Sequence, residues 1–285
     1  DKAETYANQV TLDSLYYSFP GLAKGVTLTA GALVRNTEMA WVPTAYKSDI
    51  LDFFSVAGAP GVYNKATGSG FGAQWVQPGK KGKGGFVAGV NYVAQNGNDS
   101  TKGQFDEDGS LNTLAQVGYR APQYGIAFGY RYGTEGTRVR NFNALGGGSG
   151  NLAANQTSNG YAINAYWQPK KSGIIPSVSG AYGWNTVSLS NNRTTPTGAT
   201  DSQTWMAGLQ WSDVFAKGNA AGFAIGAPGN APTLSKDALM WEAFYRYKVS
   251  DAISVTPAVF YVSNNQGLKQ ASDNYGGVIQ TTFRF

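Results

Sequence analysis

The carboxylates that could carry chemistry in this sequence fall into two groups. Asp49 and Asp52 form the first group, and Asp106, Glu107 and Asp108 form the second. Paired carboxylates can serve as the acid and base of a glycosidase. An acidic loop can also bind Ca²⁺, although the second group lacks the spacing and the bidentate glutamate of an EF-hand. Solvated loop charge is the favoured interpretation, and a bound cation that bridges to phosphate groups is the alternative.

Histidine and cysteine, on which most catalytic and metal sites depend, are both missing from the sequence. Their absence excludes Ser-His-Asp and Cys-His catalysis, disulfides, and zinc sites with thiolate or imidazole ligands. Residues 68–73 fit the G-x-G-x-x-A dinucleotide pattern, but we expect a strand rather than a helix after them. The net charge of +5 comes from dispersed bases, which argues against nucleic-acid binding. We therefore expect no enzymatic activity, no cofactor and no metal site.

A third group consists of polar residues that alternate with apolar ones. Its members are Arg35, Asn91, Gln116, Arg131, Glu242 and Arg246. Because alternate residues of a strand point to opposite faces, we predict that all six share one polar face and line a pore. A charge that faced lipid near the bilayer midplane would cost about 2–4 kcal/mol, which enforces this parity. For bases near strand ends, such as Arg120, Lys248 and Arg284, a position on the rim is the favoured alternative.

The alternation itself predicts strands. In residues 85–95, Phe86, Val90 and Tyr92 fall on one face, and Gly89 and Asn91 fall on the other. A helix would scatter these residues around its circumference, whereas a strand sorts them onto two faces. We predict 13 strands on this basis. They cover residues 9–19, 25–35, 69–77, 85–95, 110–120, 124–133, 158–168, 174–185, 202–212, 220–227, 238–248, 252–262 and 275–285.

The connections between these strands alternate between short and long. Short turns at one rim, long polar loops at the other, and aromatic residues near strand ends are typical of outer-membrane barrels. No apolar run approaches the ~20 residues of a membrane-spanning helix. We therefore predict an all-β fold, an antiparallel transmembrane outer-membrane β-barrel. A soluble β-sandwich or lectin is the alternative.

The odd strand number has a consequence for the domain. Single-chain bacterial barrels have even numbers of strands, so 13 strands cannot close with both ends on one side of the membrane. We expect residues 1–285 to form most of one barrel domain, preceded by at least one further strand. About 16 strands are expected in the intact barrel, a number that rests on the resemblance described next.

Four segments carry a resemblance to a known family. They are residues 10–20 (VTLDSLYYSFP), 217–228 (KGNAAGFAIGAP), 241–259 (WEAFYRYKVSDAISVTPAV) and 277–285 (GVIQTTFRF). These segments resemble the cyanobacterial outer-membrane porins, a branch of the carbohydrate-selective porins. The resemblance implies a homotrimer whose N-terminal S-layer-homology domain, absent from these residues, binds peptidoglycan. It also implies uptake of carbohydrate or iron, although no residue indicates specificity for either.

The expected function is passive diffusion of small hydrophilic solutes and ions across the outer membrane. Inward-facing bases outnumber inward-facing acids, so we expect a mild preference for anions. Lipid and lipopolysaccharide are the expected surroundings. The alternative function is a structural anchor to the cell wall, with a plugged or nearly closed lumen. An outer-membrane hydrolase is disfavoured because histidine is absent.

The longest connection, residues 36–68, is too apolar for a solvated loop. It contains Ile50, Leu51, Phe53 and Phe54, close enough to form one face of a short helical turn. We expect Ser48 or Asp49 to cap this turn. We predict that the loop folds inward as a constriction, with Lys47, Asp49, Asp52 and Lys65 meeting the wall near Arg131 and Glu242. A loop that folds outward and latches a trimer is the alternative.

Overall fold

The computed structural model describes residues 12–79, 82–106, 109–138, 151–152, 154–189, 201–230, 237–263 and 273–284. Thirteen strands form a single antiparallel sheet, and each strand pairs with its neighbours in sequence order. The predicted strand number and the all-β fold are confirmed. Among the described residues, the first and last strands each pair with one neighbour only.

The strand bounds agree with the alternation to within a few residues at most ends. The strands are β1 Leu15–Pro20, β2 Val26–Arg35, β3 Thr67–Val76, β4 Gly85–Ala94, β5 Leu111–Arg120, β6 Tyr124–Gly133, β7 Gln156–Trp167, β8 Ser177–Leu189, β9 Asp201–Ser212, β10 Ala220–Asn230, β11 Met240–Lys248, β12 Ile253–Val262 and β13 Asn274–Phe283. Two short helical turns, a 3-10 turn at Asn36–Glu38 and α1 at Asp52–Ser55, lie between β2 and β3. In the described part of the chain, no helix has the length and apolar character needed to cross a membrane.

Short connections gather at one end of the sheet, which we call the turn end. They are residues 21–25, 77–84, 121–123, 168–176, 213–219 and 249–252. At the opposite end, the loop end, the strands adjoin the long connections, of which residues 36–66 are described throughout. This segment begins at the loop end but lies against the inward face of the sheet, and we call it the inner loop.

Exposure along the strands follows the predicted period of two. Phe86 and Val90 of β4 are 58% and 51% exposed, whereas Asn91 beside them is 2% exposed. Gln116 and Thr256 are likewise buried. The outward face therefore carries large apolar side chains, and the inward face carries buried polar ones, the reverse of a soluble sheet.

Arg35 does not follow this rule, and its prediction as an inward residue is wrong. The register between β2 and β3 shifts between Gly31 and Val34, which is a β-bulge. An extra residue in one strand reverses the parity of the residues beyond it. Val34 is therefore the fully buried inward side chain, and Arg35 lies opposite Thr67 on the other face. There its guanidinium forms an ion pair with Asp13.

The apolar core lies inside the curved sheet, between its inward face and the inner loop. One cluster joins Tyr46, Phe53 and Phe54 of the loop to Met206 and Phe244 of the wall. A second cluster packs other loop residues, including Val62 and Tyr63, against Leu114 and Ala162. Because lipid covers the outside, these contacts inside the sheet supply the packing that a soluble protein would build between two layers.

The outward face predicts a depth-dependent response to charge. Phe128 lies near the middle of β6 and is 40% exposed, whereas Tyr124 begins the same strand at the turn end. Phe128→Arg should lower the free energy of unfolding in lipid vesicles by about 2–4 kcal/mol, and Tyr124→Arg by at most about 1 kcal/mol. Equal losses for the two variants, measured by urea titration, would contradict the assignment of this face to lipid.

Candidate functional site

The inner loop is fixed to the wall by hydrogen bonds that span many strands. The backbone of Trp41 bonds twice to Gln116 of β5, through its N–H at 3.2 Å and its carbonyl oxygen at 2.5 Å. Ala45 N–H donates to Ser179 Oγ of β8 at 2.9 Å, and Lys47 N–H donates to Gln210 Oε1 of β9 at 2.7 Å. The prediction that this segment folds inward is therefore confirmed.

Glu242 of β11 is the first of two buried charges on the described wall. It is fully buried, and its two oxygens accept hydrogen bonds from Tyr46 Oη at 2.8 Å and from Leu51 N–H at 2.7 Å. A buried carboxylate is tolerated only when such donors replace water. Burial, and then the charge of Glu242, raise the pKa of Tyr46 well above its usual range, so Tyr46 remains a proton donor at any physiological pH.

Glu242 also lies at the start of α1. The helix begins at Asp52, its N-cap is Leu51, and no side chain of the loop caps it. The predicted cap by Ser48 or Asp49 is therefore wrong. Ser48 Oγ instead accepts the N–H of Ile50 at 3.2 Å. The Glu242 carboxylate, held at Leu51 N–H, provides negative charge at the helix start, where it is favourable.

Arg131 of β6 is the second buried charge. Its Nε donates to Gly61 O of the inner loop at 2.5 Å, and its Nη2 donates to Asn185 Oδ1 of β8 at 3.1 Å and to Ser158 of β7. Its Nη1 is buried and has no hydrogen-bond partner among the described residues. Arg131 and Glu242 both face inward as predicted, but the loop covers them completely, so neither contacts water.

Amide side chains hold the two ends of the inner loop. Asn36 Nδ2 donates to Asn64 Oδ1 at 2.6 Å, and Asn64 Nδ2 donates to Asn112 Oδ1 of β5 at 2.9 Å. Asn91 of β4 donates to Asn36 O at 3.0 Å, and Asn164 of β7 donates to Ala57 O at 2.8 Å. The predicted inward residues Asn91 and Gln116 therefore support the loop instead of facing open water.

The four predicted charged residues of the loop have different environments. Lys47 and Asp49 are exposed, and the carbonyl of Lys47 accepts Arg246 Nη2 at 3.1 Å. Lys65 pairs with Asp52 at 2.9 Å and donates to Ser55 Oγ at 2.7 Å. The loop contacts to Arg131 and Glu242 described above come from backbone groups and Tyr46.

Several functional residues escaped sequence reasoning. Tyr46 and Tyr63 are fully buried at the centre of the loop contacts, but no periodic pattern marks a residue in a loop. Asn164, Ser179 and Asn185 do lie at inward positions of their strands. Strand parity could have identified these three, although not their partners. No cluster of metal-ligating side chains occurs in the described ranges.

Sequence comparison finds two similar proteins, both from cyanobacteria. The chain is 28% identical over 319 residues to an uncharacterized protein of Synechocystis sp., covering 98% of the chain and 55% of that protein. It is also 28% identical over 307 residues to an uncharacterized protein of Nostoc sp., with 98% and 51% covered. The chain thus spans about half the length of the curated relatives it matches. No protein-family model matches it.

Solved outer-membrane proteins share the fold. OmpT of Vibrio cholerae aligns with a TM-score of 0.58 at 15% identity, covering 92% of this chain and 78% of that one. OprB of Pseudomonas putida gives 0.57 at 11% identity, with 94% and 71% covered. OmpF of Salmonella typhi gives 0.55 at 13% identity, with 98% and 93% covered. The chain therefore has the fold of an outer-membrane β-barrel, and the predicted fold and location are confirmed.

The close approach of the loop to Gly160 of β7 provides a test of the loop contacts. A Cβ atom at Gly160 would lie 2.3 Å from Gly61 O, the atom that accepts Arg131 Nε. Gly160→Ala should displace the loop at a cost of about 1–3 kcal/mol. Trypsin should then cleave faster after Lys47 and Lys65. Gly89→Ala is the matched control, because its nearest neighbour on the inward face is an ordinary 3.4 Å away. Equal cleavage rates in the two variants would refute the contact.

Proposed function

We propose that this protein is a porin, through which small hydrophilic solutes and ions diffuse passively across the outer membrane. The observation that carries the proposal is the uneven cover of the inward face. The inner loop covers inward residues from β4 to β11, and Thr256 and Ala258 of β12 are also buried, but the described inward side chains of β13 and β1, the two edge strands of the described sheet, remain accessible. A solute can pass along that uncovered wall.

The uncovered wall contains several polar, uncharged side chains. Gln280 lies opposite Thr256, Thr282 lies opposite Ser254, and Ser18 lies opposite Thr29, so register places all of them on the inward face. Ser18 is exposed, and Ser254, Gln280 and Thr282 are half-buried. Hydroxyl and amide groups can replace the hydrogen bonds of a hydrated solute without trapping it, which suits diffusion better than tight binding.

The finer proposal is a mild preference for anions. At the turn end, a cavity of about 190 Å³ borders the uncovered wall and is lined by Arg246, Lys248, Arg284, Ser254 and Thr282, among others. Asp251, which also lines it, forms an ion pair with Lys248. Arg246 lies 5.3 Å from the ring centre of Phe244. The excess of bases gives this mouth a positive potential that attracts anions.

A second candidate function is a wall anchor with a plugged lumen. It is favoured by the complete burial of Arg131 and Glu242, because a loop that excludes water from eight strands could seal the interior. The two candidates differ in one measurable property, which is whether the protein conducts ions.

The remaining features are proposals from the resemblance to cyanobacterial porins. They are a homotrimer, a further S-layer-homology domain that binds peptidoglycan, an intact barrel of about 16 strands, and contacts with lipopolysaccharide. The cyanobacterial origin of both sequence relatives supports this branch. We also propose that the protein is not an enzyme, which the absence of histidine and cysteine supports.

Conductance tests the uncovered wall with two adjacent residues. Gln280 faces inward, and Ile279 faces outward with 74% of its surface exposed. In planar bilayers, the full-length protein should form channels, and Gln280→Trp should lower their single-channel conductance because the indole narrows the passage. Ile279→Trp should leave conductance unchanged, because its ring faces lipid. A wild-type protein that inserts but does not conduct would establish the plugged anchor instead.

The anion preference is tested by reversing one charge at the mouth. Arg284→Glu should shift the reversal potential in a salt gradient toward cation selectivity, since it replaces a base by an acid. Lys102→Glu, at the loop end, should shift it less. The difference should shrink in concentrated salt, where the Debye length falls to about 3 Å at 1 M. A cation preference in the wild-type channel would contradict this part of the proposal.

A further inference from the structure

The turn end has a large excess of positive charge. Its described turns and adjoining strand ends contain eight basic residues: Lys24, Lys83, Arg120, Lys170, Lys171, Lys217, Lys248 and Arg284. They contain only two acidic residues, Asp213 and Asp251. The charges are therefore distributed along the whole turn end of the described sheet, over all six turns with their adjoining strand ends and the end of β13.

Both acids of this rim are already engaged. Asp251 forms an ion pair with Lys248. Asp213 accepts hydrogen bonds from Gly218 N–H at 2.7 Å and from Ser172 Oγ. By contrast, Lys24, Lys83, Lys170, Lys171 and Lys217 are exposed, and none forms an ion pair with a described residue. These five ammonium groups are available to a negatively charged partner.

Apolar side chains protrude beside the lysines. Leu22 is 111% exposed two residues from Lys24, Ile174 is 94% exposed beyond Lys171, and Phe215 is 94% exposed two residues from Lys217. Three separate turns thus pair a projecting apolar group with a cation. A partner that contacts all three turns must therefore present apolar groups and negative charges side by side.

Phe215 is held in this position against its own preference. Its φ of 61° lies in the left-handed region, which bulky residues rarely adopt. Residues in such conformations are maintained only where the surrounding structure imposes them, and they concentrate at functional positions. Here Tyr245 Oη accepts from Asn219 Nδ2 at 2.7 Å and donates to the neighbouring Val214 O at 3.3 Å, which fixes the turn.

The position of these turns relative to the hydrocarbon layer identifies the partner. Aromatic residues on the outward face at the turn end, including Trp75, Tyr124, Trp167 and Tyr247, mark the boundary of the hydrocarbon layer. The turns extend only a few residues beyond this boundary. The headgroup layer is itself about 5–8 Å thick on each side of the membrane, so the turn tips lie within it.

We propose that the turn end is a binding surface for anionic phospholipid headgroups of the adjacent leaflet. The lysines contact lipid phosphates, and Leu22, Ile174 and Phe215 enter the boundary between headgroups and acyl chains. This interaction is independent of ion conduction, because the residues involved lie outside the passage.

Tryptophan quenching by brominated lipids tests the proposal directly. The full chain is reconstituted with Trp184→Phe, Trp205→Phe and Trp241→Phe, which removes the tryptophans nearer the loop end. Trp75, Trp167 and Trp211 then remain on the outward face at the turn end, and Trp41 remains in the inner loop, away from lipid. Quenching by brominated phosphatidylglycerol is compared with quenching by brominated phosphatidylcholine at equal mole fractions. We expect preference for the anionic lipid, about fivefold for each lysine–phosphate contact at low salt.

Matched variants identify the residues responsible. Lys217→Gln should reduce the preference about fivefold, and Lys24→Gln combined with Lys170→Gln, Lys171→Gln and Lys217→Gln should reduce it much further, leaving only the contribution of Lys83 among the five lysines. Lys102→Gln, at the loop end, should have no effect. Because the lysines are exposed, Lys170→Glu with Lys217→Glu should still fold, as circular dichroism will check, and should reduce the preference about as far as the four-lysine variant, since both change the charge of the rim by the same amount.

Two outcomes would overturn the proposal. The first is a wild-type quenching ratio of one, or a ratio that the four-lysine variant leaves unchanged. The second adds to that ratio of one a lysine-dependent sedimentation of the protein with purified cell-wall sacculi. That result would assign the rim to a wall polymer instead of a lipid.

Discussion

The hydrogen bonds between the inner loop and the inward polar side chains are the interaction on which the rest of this structure depends. Lipid takes the apolar face of every strand, so the inward face must satisfy its own polar groups. The loop meets this requirement with backbone donors and acceptors, at Gln116, Ser179 and Glu242, and with apolar side chains between them. The position of the loop then determines which part of the interior remains open.

The interface between loop and wall fixes position more than it adds stability. Six buried side-chain atoms, on Asn36, Asn91, Asn112, Arg131, Asn164 and Asn185, have no hydrogen-bond partner within the described ranges. Each such group costs about 1–3 kcal/mol. A purely apolar interface would avoid that cost, but the loop could then shift along the wall, because apolar contacts have no preferred direction. Directional bonds at Glu242 and Arg131 define one place for the loop, as the proposed passage of fixed width would require.

The distribution of charge separates the residues that position the loop from those that face the open part of the interior. The two buried charges hold the loop, and the uncovered wall at Gln280 and Thr282 is neutral. Eight other described bases lie at the turn end, where Arg284 borders the proposed mouth and Lys217 lies two residues from Phe215. These described charges therefore lie in three distinct places, which are the loop contacts, the proposed mouth and the turn end. A mutation in one place should leave the other two largely intact, because they share few contacts.

The sequence by itself determined the strands, their faces and the location of the protein. Period-two alternation is a local property, since it reflects only the direction of successive side chains, and it correctly predicted 13 strands and the inward position of Arg131 and Glu242. It failed at Arg35, because the bulge after Gly31 depends on pairing with β3, and the adjacent apolar residues Leu33 and Val34 are too weak a break in the alternation to predict it. The apolar content of residues 36–68 correctly predicted an inward loop. Only the tertiary structure decided that Tyr46 and Gly61 meet Glu242 and Arg131, because those contacts join residues 196 and 70 positions apart in the chain. Burial of these two charges is likewise a tertiary property, because the covering atoms belong to a segment whose path no local pattern specifies.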